Sequence, residues 1–220
     1  MPDHAKRNPS YSRQLLSLAF VSCALLSGGY VAAKPADITE SEMKLLPRYC
    51  PDTQGFGYGD AYSRTSPRAG YWVSLMGPTF WNMHHYCWAE ISMNRSRKAR
   101  LSPMTRRGLW ESARNDYGYV IQNSPPDFIL LPEIYTKIGQ VEMLLDRPNK
   151  ADEAFSRARH LKPDYWPAYS HWAEFLIQNR KLTEAMEIVQ EGLKNAPQSK
   201  VLGEQYHVLG GKNTGLPKTN

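Results

Sequence analysis

Three cysteines in 220 residues are too few for the disulfide framework of a small cross-linked secreted domain. No apolar run reaches the roughly 20 residues that span a bilayer as a helix; the longest candidate, Leu15–Leu26, has 12. Familiar catalytic signatures are missing as well. No GxSxG, HExxH, phosphate-cradling glycine loop or dinucleotide fingerprint stands where it would work. Gly55, Gly57 and Gly59 alternate with aromatics and precede no strand-to-helix turn, and no CxxCH attaches haem. His160, His171 and His207 are isolated on helical stretches. The chain therefore reads as a non-enzyme with no catalytic residue and no cofactor.

What is present begins with an export signal. Lys6, Arg7 and Arg13 precede the apolar run, and Val31-Ala32-Ala33 offers a cleavage site, which together read as a secretory signal peptide over residues 1–33, cut near Ala33. A retained membrane anchor and lipidation of Cys23 are the alternatives. Export to a periplasmic or outer-envelope location follows. Without those residues, which carry three bases and one acid, 24 Lys and Arg face 20 Asp and Glu, a net of +4. Cys50 and Cys87 then remain as an even pair in an oxidising compartment, and a bridge between them is expected. Closing that loop would stabilise the fold by about 4 kcal/mol on the chain-entropy view.

From residue 34 to 79 the chain is rich in Gly, Pro, Tyr and Ser without a sustained period. It reads as an irregular segment with one short helix near Thr39–Leu46, where Thr39 caps and Glu42 stands three residues on. Tyr49, Tyr58, Tyr62, Tyr71 and Trp72 need something to bury against, so the segment is expected to lie across helices. A helix over Phe80–Arg100 and another over Thr105–Gln122 follow, ended by Pro125-Pro126.

Beyond this point the sequence repeats. Sliding residues 132–165 by 34 lays them on 166–199 without a gap: Tyr135 on Tyr169, Ile138 on Trp172, Gly139 on Ala173, Ala151 on Ala185, Phe155 on Val189, Ala158 on Gly192 and Pro163 on Pro197. Three of those columns hold only small residues, which let antiparallel helices approach closely. An aromatic at position 4, a large and a small residue at 7 and 8, Ala at 20, an apolar residue at 24, a small one at 27 and Pro at 32 resemble the tetratricopeptide repeat (TPR) family. The block with Tyr49-Cys50-Pro51, Phe80-Trp81 and Met83-His84-His85-Tyr86-Cys87-Trp88 also looks like exported bacterial repeat proteins of unassigned role. Glu142 departs from the bulky residue expected at position 11, where the second repeat has Leu176.

The resemblance implies an all-α fold, a short right-handed α-solenoid of antiparallel helix pairs behind the irregular segment. Two repeats are too few to bury their own faces. Residues 80–131 are expected to form a degenerate first repeat with a basic insertion: Trp81, His84, His85 and Trp88 at positions 4, 7, 8 and 11, then Ala113, Tyr117, Val120 and Pro125. Residues 200–220 are expected to supply a capping helix and a tail.

Three sites follow. The resemblance implies a concave groove lined by first helices, which places Thr136, Lys137, Gln140, Met143 and Leu144 on one repeat there. Ser170, His171, Glu174, Ile177 and Gln178 join them from the next. That groove suits a peptide or protein partner. Arg95, Arg97, Lys98, Arg100, Arg106 and Arg107 fall within 13 residues that contain no acid. This makes a patch for an anionic polysaccharide or lipid surface an alternative, while export argues against nucleic acid. The second alternative is metal handling by His84, His85 and Cys87, although their spacing matches no recognised ligand set, and no metal site is assigned.

Overall fold

The computed structural model describes residues 37–56 and 66–211, all within one compact unit, Val31–Asn220. The expected signal peptide, its cleavage site and Cys23 lie outside the described residues. Nine α-helices are present among the described residues, with no strand: α1 (Glu40–Met43), α2 (Ala69–Met76), α3 (Met83–Ser96), α4 (Pro103–Gln122), α5 (Leu131–Leu144), α6 (Pro148–Leu161), α7 (Trp166–Gln178), α8 (Leu182–Asn195) and α9 (Lys200–Val208). Two 3-10 turns, Cys50–Asp52 and Gly77–Asn82, complete the list. The fold is all-α, and α3 with α4, α5 with α6 and α7 with α8 pack as consecutive antiparallel pairs.

Local chemistry sets the helix ends. Ser102 accepts the Thr105 amide at 3.0 Å and Pro103 opens α4, where its missing N–H costs nothing. Ser199 caps α9 in the same way. The turns inside the two repeats match bond for bond. Asp146 and Arg180, 34 residues apart, are both non-glycine residues in the left-handed region, at φ 61° and 60°. Arg147 N–H reaches back to Glu142 O at 2.9 Å, and Lys181 N–H to Leu176 O at 2.9 Å. Each closes the six-residue ring that ends a helix on a left-handed residue. The next helices then start with Ala151 N–H on Arg147 O and Ala185 N–H on Lys181 O, both at 3.0 Å. A 34-residue period thus holds in the backbone as well as in the side chains.

Packing explains the small residues. A Cβ on Gly139 would stand 2.7 Å from the Phe155 ring, so glycine is the residue that lets α5 and α6 close over a phenylalanine. In the next pair the partners change size together, Ala173 against the smaller Val189, both fully buried. Each cluster joins one pair to the next. Met83, Tyr86 and Ala89 of α3 share a core with Ala113, Tyr117 and Val120 of α4 and with Ile134 and Val141 of α5. Phe155 and Ala158 of α6 meet Trp172 and Leu176 of α7. Leu202 of α9, fully buried against Tyr169 and Leu193, closes the series. A core side chain of this size contributes about 2 kcal/mol relative to leaving it in water.

The first pair is placed differently from the expected register. Trp81 lies in the 3-10 turn ahead of α3, and Trp88 turns toward the N-terminal segment with Cys87 and Ile91. Met83, Tyr86 and Ala89 face α4 instead. Glu142 is buried at the position where a bulky residue was expected, held by Arg114 Nε at 2.7 Å and with Arg147 Nη1 3.5 Å away. Two guanidiniums from neighbouring elements thus accommodate the departure.

The segment before α3 is tied down at three points. Cys50 and Cys87 form a disulfide. Thr39 and Glu42 make the capping box of α1, and the Glu42 carboxylate also takes Arg95 Nε at 2.7 Å and Nη2 at 2.9 Å. Asp52, buried, accepts from Ser66 Oγ and Trp72 Nε1, both at 2.6 Å, and from Arg68. Helix α2 lies where the sequence shows no period. It buries only Ala69 while Tyr71 and Leu75 stay exposed, so no amphipathic pattern marks it.

Candidate functional site

Across the wall built by α3, α5 and α7, with the start of α4 beside it, runs a cavity of about 490 Å³. From α5 it takes Gln140, Met143 and Leu144, and from α7 His171, Glu174, Phe175 and Gln178. The α3–α4 side adds Met93, Ser96, Arg97, Arg106 and Trp110. Successive turns of α5 and α7 present residues three and four apart on one face, which is why these positions share a wall.

Six of the ten groove positions inferred from sequence line this cavity; the other four serve the wall. Thr136 is buried, its hydroxyl donating to Pro132 O at 2.8 Å. Lys137 Nζ stands 2.9 Å from Glu90, whose carboxylate also accepts the Tyr117 hydroxyl. Ser170 is buried and its carbonyl accepts Gln205 Nε2 at 3.0 Å, which ties α9 to α7. Ile177 packs into the core cluster beneath.

The basic run divides. Arg95 is spent on Glu42, raising its own affinity for the proton and holding the Glu42 carboxyl down at about 2, chiefly through that hydrogen bond. Lys98 stands 3.8 Å from the same carboxylate, and Arg107 lies 4.0 Å from Glu111. Arg97 donates to Asn94 Oδ1 at 3.1 Å and Arg106 to Lys98 O at 3.3 Å, both neutral acceptors. Arg100 is exposed. Two of the six charges therefore enter the cavity, and the patch and the groove, separate in sequence, share a wall.

Inside the cavity His171 Nδ1 is 3.9 Å from Glu174, and burial lowers the His171 pKa more than Glu174 raises it. The imidazole is thus neutral near pH 7. Gln178 Nε2 donates to Glu174 at 3.5 Å. Met93, Ser96, Trp110 and Phe175 escaped the sequence reading as cavity residues. Phe175 stacks on Trp172 at 5.3 Å, a pair whose i, i+3 spacing was visible, whereas the insertion that precedes α4 hid Trp110 by breaking the 34-residue register.

The histidine block of α3 has other work. Cys87 is consumed by the disulfide. His84 Nδ1 donates to Trp81 O at 2.9 Å and Nε2 faces the Gln54 amide at 3.3 Å. Burial first, then the neighbouring His85, push the His84 pKa down to about 4. His85 Nδ1 meets the buried Asp116 carboxylate at 2.7 Å, and its ring lies on Tyr119 at 3.9 Å. Among the described residues no group of three or more His, Cys, Asp or Glu is placed to hold a metal ion.

Against known proteins, the chain matches no family model and no curated sequence. Among the described residues no helix is long and apolar enough to cross a membrane. The disulfide is a bond of oxidising, extracytoplasmic compartments.

Proposed function

We propose that this chain is a TPR-type interaction module of the bacterial periplasm or outer envelope, a scaffold that holds a peptide or protein partner without catalysing a reaction. One observation carries the reading: the 490 Å³ cavity on the wall of first helices, which combines Met93, Met143 and Phe175 with Gln140 and Gln178. Its size falls in the range of about 300–1,000 Å³ that receives compact ligands, and its mixed lining suits side chains with backbone amides between them. The leader sequence and the bridged cysteines support the location. The alternative of an anionic polysaccharide or membrane surface on residues 95–107 is supported less well, because Arg95 and Lys98 are drawn to Glu42.

A pull-down from envelope extract tests the reading when the protein is compared with Leu144→Asp, a half-exposed lining position whose change leaves the core intact. Loss of a captured partner with an unchanged melting temperature is the expected result. Equal capture by both proteins would place the interaction elsewhere.

A further inference from the structure

We infer that the cavity selects peptide segments in which one acidic side chain neighbours a bulky apolar one, with Arg97 and Arg106 receiving the carboxylate; this rests on the interaction-module reading above. The chemistry of the two walls leads there. Arg95, Arg107, Arg114 and Arg147 each lie within 4.0 Å of a carboxylate. Among the described residues Arg97 and Arg106 have no such partner. Each instead donates to a neutral acceptor, the Asn94 side chain or the Lys98 carbonyl, which steadies the head while leaving its charge uncompensated. A guanidinium carries five N–H donors, so a carboxylate can still be gripped.

The opposite wall limits how acidic the occupant is. Glu174 lines the same cavity from α7, and the neutral His171 beside it adds no positive charge. A polyanion, with charge at every unit, would drive negative groups onto Glu174; a single acid near the α3–α4 wall avoids it. Met93, Trp110, Met143 and Phe175 then supply the apolar contact that a uniformly charged polymer or headgroup surface would leave unused. The lining crosses three successive first helices, α3, α5 and α7. A segment passing through therefore fits better than a chain end, and the acid is assigned to a side chain rather than a C-terminus.

Panning displayed random peptides of about 12 residues against the purified, oxidised protein tests this. Enriched sequences are expected to carry Asp or Glu within two positions of an aromatic, Leu or Met residue. By fluorescence anisotropy, changing that acid to its amide should weaken binding about tenfold at low salt, and less as salt screens it. Amidating the C-terminus should leave binding unchanged. The double variant Arg97→Gln/Arg106→Gln should bind the acidic peptide no better than the amide peptide, with Arg97→Lys/Arg106→Lys recovering part of the difference and melting temperatures matching throughout. Acidic peptides indifferent to both arginines, or dependent on a free C-terminus, would overturn the inference. Neutral or basic peptides lost on Leu144→Asp would overturn it while sparing the module reading. If no peptide were enriched over Leu144→Asp, both would fall.

Discussion

A methyl group added at Gly139 would lie 2.7 Å from Cζ and 2.8 Å from both Cε atoms of Phe155. Phe155 is fully buried and tilted against Trp172 with ring centroids 5.8 Å apart, so its ring has no free space to enter. Overpacking of this kind costs about 1–3 kcal/mol, and alanine's better helix propensity returns about 1 kcal/mol. Gly139→Ala is therefore expected to lose about 0–2 kcal/mol. Phe155→Val alone should lose about 2–3 kcal/mol through the cavity it leaves. Together the two changes recreate the Ala173 and Val189 combination of the following pair, and the methyl then occupies space the ring has vacated. The double variant should be more stable than the sum of the single losses predicts, by at least about 1 kcal/mol, a coupling typical of residues in contact. Urea titration of the four proteins, read from midpoints at constant slope, measures it. Additive losses, or a Gly139→Ala variant more stable than the parent, would refute the steric account of the repeat.

Reducing the Cys50–Cys87 bridge should lower the unfolding free energy by up to about 4 kcal/mol, seen as a melting shift with and without dithiothreitol and absent in the Cys50→Ser/Cys87→Ser variant. Acid should destabilise the fold in two stages. His84, held at about 4 in the fold against 6.5 ordinarily, keeps the folded state from taking a proton the unfolded chain accepts, so stability falls from pH 6.5 down to about 4. Glu42, held at about 2 against 4.5, withdraws a further contribution as its carboxylate takes a proton between pH 4.5 and 2. Melting temperatures of His84→Gln and Glu42→Gln across pH should each lack one stage. Gly192→Ala should push on Leu202 and Tyr169, whose atoms stand 2.8 and 2.9 Å from the added carbon, and amide exchange in α9 should rise with it.

The repeat was legible because its signals are local and periodic. Tyr135 and Tyr169, Gly139 and Ala173, and Pro163 and Pro197 recur at one spacing, and the turns at Asp146 and Arg180 follow from the same register. Capping chemistry made Thr39 readable for the same reason, whereas the Ser102 cap lies three residues ahead of the expected helix start at Thr105. Long-range partners were not. Nothing in the sequence joins Glu42 to Arg95 or Glu142 to Arg114, since those pairings depend on how separate helices meet. Helix α2 escaped because a helix that buries one residue leaves no apolar stripe. The cavity was half legible. Gln140, Met143, Leu144, His171, Glu174 and Gln178 follow from counting along helices of known face, whereas Met93 and Trp110 belong to a pair whose insertion removed the ruler.

Partner contact through the wall of first helices is the claim on which the rest depends. A photoreactive benzoylphenylalanine placed at Met143 in the cavity, and in a second protein at Arg157 on the exposed face of α6, would be irradiated in intact cells and resolved by gel and mass spectrometry. The account predicts a defined adduct from position 143 and none from 157. Adducts from 157 with none from 143 would contradict it.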